Sequence, residues 1–132
     1  MSTDPVKQYV KICVGTQLPG GLDANILFSL EDSELFDYFE MHEDGSLEHT
    51  AQTRRCLCAD LIEPLIRRDI DAVVVKDLST TSLFKFASAK VKVYVTEETS
   101  VKASLDALRA GKLEELGMRD LAKLSRKHRK GV

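Results

Sequence analysis

Between Asp71 and Lys76 the chain reads Ala72-Val73-Val74-Val75, an apolar run in which no polar side chain alternates. A strand of this kind is covered on both faces, and the parallel sheets of α/β proteins supply that arrangement. Tyr9 to Thr16 has a similar character, with Val10, Ile12 and Val14 on one face and Tyr9, Cys13 and Gly15 on the other, before Pro19, Gly20 and Gly21 end it. Leu35 to Met41 has β-type composition, and Glu43-Asp44-Gly45 predicts a hairpin turn into a second strand from Ser46 to His49.

The period then changes. From Thr53 to Arg68, Leu57, Leu61 and Leu65 recur at every fourth position, with Cys58, Ile62 and Ile66 widening the stripe, which predicts an amphipathic helix blemished by Pro64. Beyond the valine run, Ser79 or Thr80 is the expected cap of a second helix carrying Leu83, Phe84, Phe86 and Ala87. Val91 to Val95 reads as another strand. Thr99 or Ser100 caps a third helix with Val101, Leu105 and Leu108, stopped by Gly111, and a last helical pattern runs through Met118, Leu121, Ala122 and Leu124. The order β-ββ-α-β-α-β-α predicts one three-layer α/β/α domain with a mixed sheet, the hairpin supplying its antiparallel member. Val10, Ile12, Val14, Leu61, Ile62, Val73, Val75, Val93 and Leu105 are the expected core. The expected organisation is a flexible segment 1–8, a domain 9–116, and a C-terminal helix and basic tail 117–132.

The 132 residues suit a single domain, and 43% hydrophobic with 30% charged content is that of a globular chain, not a disordered one. No apolar run approaches the ~20 residues of a membrane span. Met1 to Gln8 has no apolar signal core, and three cysteines without framework spacing suit a reducing compartment, so a cytoplasmic location is expected.

Charge is unevenly placed. From Ile12 to Thr53 there is no Lys or Arg, while nine acids fall in the same stretch. Residues 119–132 carry six basic groups against Asp120 alone, leaving the rest of the chain strongly acidic. An acidic half argues against a general nucleic-acid-binding domain, and Ser125 to Val132, with no apolar stripe, is expected to be mobile.

Motifs for enzymatic chemistry are missing. Gly15 to Gly21 has neither dinucleotide-binding nor phosphate-loop spacing, and there is no G-x-S-x-G nucleophile elbow. Cys56-x-Cys58 lacks zinc-knuckle spacing and a second pair, Cys58 lies on the apolar stripe, and Cys13 lies in a central strand. The acids are not placed on central strands as a two-metal nuclease requires. The protein is therefore expected not to be an enzyme. Thiolate and imidazole are apt ligands for a metal cluster, and Cys56, His49 and His42 are the ones periodicity leaves outside the core, with Cys56 and His49 as the expected metal ligands. Arg54 and Arg55 would add positive charge, and the loop Glu48–Arg55, read as preceding a helix, would offer its amides.

Lys11-Ile12-Cys13-Val14, Gly21-Leu22-Asp23-Ala24, Leu35 to Gly45, Asp71 to Val75 and Ala89 to Tyr94 together resemble the dinitrogenase iron-molybdenum cofactor biosynthesis family, whose members include nitrogenase accessory factors. The likeness runs from about Lys11 to Leu113. It implies a ribonuclease H-like α/β/α fold and non-catalytic binding of an iron-sulfur or iron-molybdenum cluster, with a cofactor-assembly protein as partner. The family's His-Phe-Gly-Arg falls on Ser29-Leu30-Glu31-Asp32, its Gly-rich turn on Ala51 to Arg55, and its Ile-Gly-Pro on Leu78-Ser79-Thr80. The sequence thus predicts a small cofactor carrier, monomeric or weakly self-associating. The alternative is a cluster-free interaction domain that engages an acidic protein or nucleic acid through its basic tail.

Overall fold

A computed structural model describes residues 9–55 and 60–117. Six strands form one mixed sheet in the order β3-β2-β1-β4-β5-β6. Their ranges are β1 Tyr9–Thr16, β2 Leu35–His42, β3 Leu47–Arg54, β4 Ala72–Val75, β5 Lys92–Val95 and β6 Glu114–Leu116, with helices α1 Ile62–Ile66, α2 Thr80–Ser88 and α3 Val101–Arg109. β1, β4 and β5 run parallel, whereas β2 lies antiparallel to β1 and β6 antiparallel to β5. The valine run is β4, in the middle of the sheet, with all four residues buried.

The sheet divides the apolar interior in two. Ile62 and Leu65 of α1 and Leu83 and Phe86 of α2 pack over Cys13, Phe36, Tyr38, Val73, Val75 and Val93. On the other face Val101 and Leu105 of α3, with Ala24 and Ile26 of the β1–β2 connection, cover Ile12, Val14, Phe39 and Val74. The expected single core is therefore two half-cores, because a sheet covered on both faces separates the side chains that alternate across it. Val10 is a correction: it is 43% exposed, since β1 extends beyond the cover of α3. Leu61 is only partly buried.

The caps fall where the short polar side chains allow. Ser79 accepts from the Ser82 amide at the start of α2, and Ser100 accepts from Ala103 at the start of α3. The helix predicted from Thr53 is corrected. The chain remains in strand β3 to Arg54, the Arg55 amide still donates to the Glu34 carbonyl (2.8 Å), and beyond the undescribed residues 56–59 helix α1 begins at Ile62. The amides of Ile62 and Glu63 are capped by Asp60, and Pro64 fits because it lies in the first turn, where its missing N–H costs nothing. Pairing with β2 takes Thr53 and Arg54 out of the predicted helix, whose apolar stripe is kept at Ile62, Leu65 and Ile66 of α1. The strand β6 was not anticipated. The helical pattern from Met118 and the basic tail lie outside the described residues.

Candidate functional site

Asp37 interrupts the apolar face of β2 and is fully buried. Its carboxylate is saturated: one oxygen accepts from the Thr16 hydroxyl (2.7 Å) and the Gly21 amide (2.9 Å), the other from the Gln52 side-chain amide (2.8 Å) and His49 Nε2 (2.8 Å). Burial by itself pushes this carboxyl upward, but the bonds from Gly21, Thr16, Gln52 and His49 outweigh it and hold it below the usual carboxylate range. An ionised carboxylate only accepts, so His49 Nε2 carries a proton, and in the neutral ring Nδ1 then holds the lone pair. The ring also stacks on Phe39, with centroids 4.8 Å apart. The glycine turn completes the enclosure. Gly20 has φ +82°, and a Cβ there would collide with the Asp37 carboxylate and the Gln52 amide, so glycine is required.

His49 reaches Asp37 because of a bulge. Tyr38 pairs with Ala51 but Phe39 pairs with His49, leaving Thr50 as the extra residue in β3. A regular ladder would have set His49 opposite Glu40, on the other face. The same shift sets Glu48 opposite Glu40, so that Glu40, His42 and Glu48 gather on the face away from His49.

The two predicted histidines are thus not brought together. His42 and His49 point to opposite faces, and the loop expected to offer free amides is instead strand β3, paired with β2. Arg54 and Arg55 lie exposed at the end of β3. Cys56 lies outside the described residues, as does Cys58. Cys13 is buried in the sheet, and burial pushes its thiol upward, which removes it as a ligand. Asp37, Gln52, Glu40 and Glu48 were missed from sequence; the one signal was an acid inside the apolar run Leu35–Phe39.

At the C-terminal ends of the parallel strands, where open α/β sheets bind ligands, the residues are acidic. Glu31 accepts from the Ser79 amide (3.0 Å) and the Ser82 hydroxyl, so the positive end of α2 already holds a carboxylate. At the opposite end of the sheet a groove of about 660 Å³ is bordered by Val10, Met41, Tyr94, Leu108, Lys92 and Arg109.

No protein-family model and no curated protein matches the chain. Solved structures do match in fold. A protein of Methanocaldococcus jannaschii provisionally assigned as a dinitrogenase superposes with TM-score 0.64 at 18% identity, over 82% of this chain and 95% of the other. A Thermotoga protein provisionally assigned as NifB, of the DUF35 family, gives 0.62 at 20% over 81% and 93%. The apo form of the orange protein from Desulfovibrio gigas gives 0.63 at 12% over 80% and 92%. At these identities the likeness is one of fold. No helix among the described residues is long and apolar enough to cross a membrane.

Proposed function

We propose that the protein is a small non-enzymatic metallocofactor carrier or assembly factor, of the dinitrogenase iron-molybdenum cofactor biosynthesis type and with a ribonuclease H-like fold. The observation that carries the reading is His49, with Nε2 fixed on the buried Asp37 carboxylate and Nδ1 left as a donor. A carboxylate behind the imidazole sets the tautomer and raises ligand basicity, as it does in metal-binding histidines. The shared fold with proteins assigned to dinitrogenase and NifB supports it, as does the apo state of the orange protein structure, which implies a removable group in that protein. The sheet order with an antiparallel β2 supports the ribonuclease H-like reading. An imidazole donor fits an iron or iron-molybdenum centre. Among the described residues no accessible thiolate does, so the reading rests on His49, and the group's chemistry there is storage and transfer.

The test is iron and molybdenum content, with visible absorption, of protein purified without oxygen from its native host. His49→Ala should lower bound metal at least about tenfold, and Asp37→Asn should lower it less, with both variants folded. Equal metal in His49→Ala would remove the site.

The acidic strand ends favour a second reading. With Glu31 already seated at the α2 N-terminus, an anionic cluster would be repelled there, which suits a cluster-free interaction domain. Metal-free native protein would favour it.

A further inference from the structure

We infer that Glu40, His42 and Glu48 form a mononuclear site for a first-row divalent cation at the tip of the β2–β3 hairpin. Glu40 and His42 are two apart on β2 and so share a face, and Glu48 stands directly opposite Glu40 across the ladder. Their ligand atoms all lie within 4.8 Å of one another. His42 Nε2 is 3.5 Å from a Glu40 oxygen and 3.9 Å from a Glu48 oxygen. These separations are long for hydrogen bonds. The first matches, and the second slightly exceeds, the roughly 3–3.6 Å between donors that each lie about 2.0–2.2 Å from a shared ion.

The electrostatics favour a cation beside the three side chains. Two carboxylates directly opposed on an antiparallel pair repel each other. No Lys or Arg occurs between Ile12 and Thr53 to offset them, and Glu43 and Asp44 add to the local negative charge. Lys11, which faces Glu40 across the β1–β2 ladder, turns its ammonium toward the Arg68 carbonyl (3.4 Å). A divalent cation converts that repulsion into two bonds.

The scaffold is stiff. His42 and Ser46 close the hairpin by a backbone bond of 2.9 Å, Gly45 donates to His42 (3.0 Å), and the Asp44 carboxylate holds the Ser46 amide and hydroxyl. Tyr9 packs its ring at 5.5 Å from that of His42, and Nε2 remains directed at the carboxylates. One imidazole with two carboxylates suits Zn²⁺, Mn²⁺ or Fe²⁺, with water completing the shell.

The site is independent of His49, which lies on the opposite face. Titration of the full-length protein with Zn²⁺ should show one calorimetric site. Co²⁺ should give a visible d–d spectrum that excess Zn²⁺ abolishes. His42→Ala and Glu48→Gln should each weaken Zn²⁺ binding at least about tenfold, the lower end of what even an outer-shell loss costs. His49→Ala should leave it unchanged. Absence of saturable Zn²⁺ binding by folded protein, or unchanged affinity in folded Glu48→Gln and His42→Ala, would overturn the inference. Loss of binding in His49→Ala alone would transfer the Zn²⁺ site to the other face and overturn it too.

Discussion

Asp37 keeps its charge in the interior because four donors converge on it: the Gly21 amide, the Thr16 hydroxyl, the Gln52 amide and the His49 ring. Its carboxyl is held below the ordinary range, so its contribution to stability is present at neutral pH, above the unfolded value near 3.9, and is lost as pH falls through the folded value. Replacing Asp37 with Asn keeps the shape but sets an amide N–H₂ against donors, at a cost of about 2 kcal/mol. The melting temperature of Asp37→Asn should therefore fall below that of the parent at pH 7, and the gap should narrow as the medium is acidified below about pH 4. A gap that stayed constant with pH would show that Asp37 is not ionised in the folded protein. Cys13 offers the contrast: burial outweighs the Tyr38 side-chain bond that would favour the anion, pushes the thiol upward and leaves a small un-ionised group among valines.

The hairpin is the element on which both candidate sites depend, and Thr50 is its pivot. The extra residue turns His49 toward Asp37 and Glu48 toward Glu40. Deleting Thr50 should remove the bulge while leaving Phe39 opposite His49 and Glu40 opposite Glu48, so that His49 stays on the face of Asp37. Nitrogen NMR of the imidazole should then still show the Nε2–H bonded to Asp37. A folded deletion variant that lost that bond would show that β3 had slipped register against β2. The short α1 also matters to the exposed site. It ends at Ile66, with Arg68 stacked over Tyr38 at 4.4 Å, and does not extend over Glu40 and His42.

Over the whole molecule, charge is segregated. The hairpin and first connection are acidic, and Arg126, Lys127, Arg129 and Lys130 make the C-terminal segment basic. If that segment binds a polyanion, neutralising roughly four phosphates gives a slope of about −3.6 in log K against log salt on duplex DNA. Truncation after Leu124 should abolish such binding. A salt-insensitive interaction, or one that survives truncation, would place the partner surface on the folded domain, where Leu18 and Phe28 of the β1–β2 connection are exposed.

The strands β1, β4 and β5, the hairpin turn and the Ser79 and Ser100 caps were legible in the amino-acid order alone. Each rests on contacts between near neighbours or on a side-chain period that burial imposes. The α/β class followed from them, since an unbroken valine strand needs cover on two faces. What tertiary structure decided was pairing. The ladder with β2 held Thr53 and Arg54 in strand, β6 formed only because β5 offered an edge, and Val10 was left exposed where α3 stops. The sites belong to this second kind. His42 and His49 were candidates by residue type, but one unpaired threonine assigns them to opposite faces and chooses Asp37 for one and two glutamates for the other. A bulge is a property of two strands aligned against each other, and it leaves no periodic trace in either one.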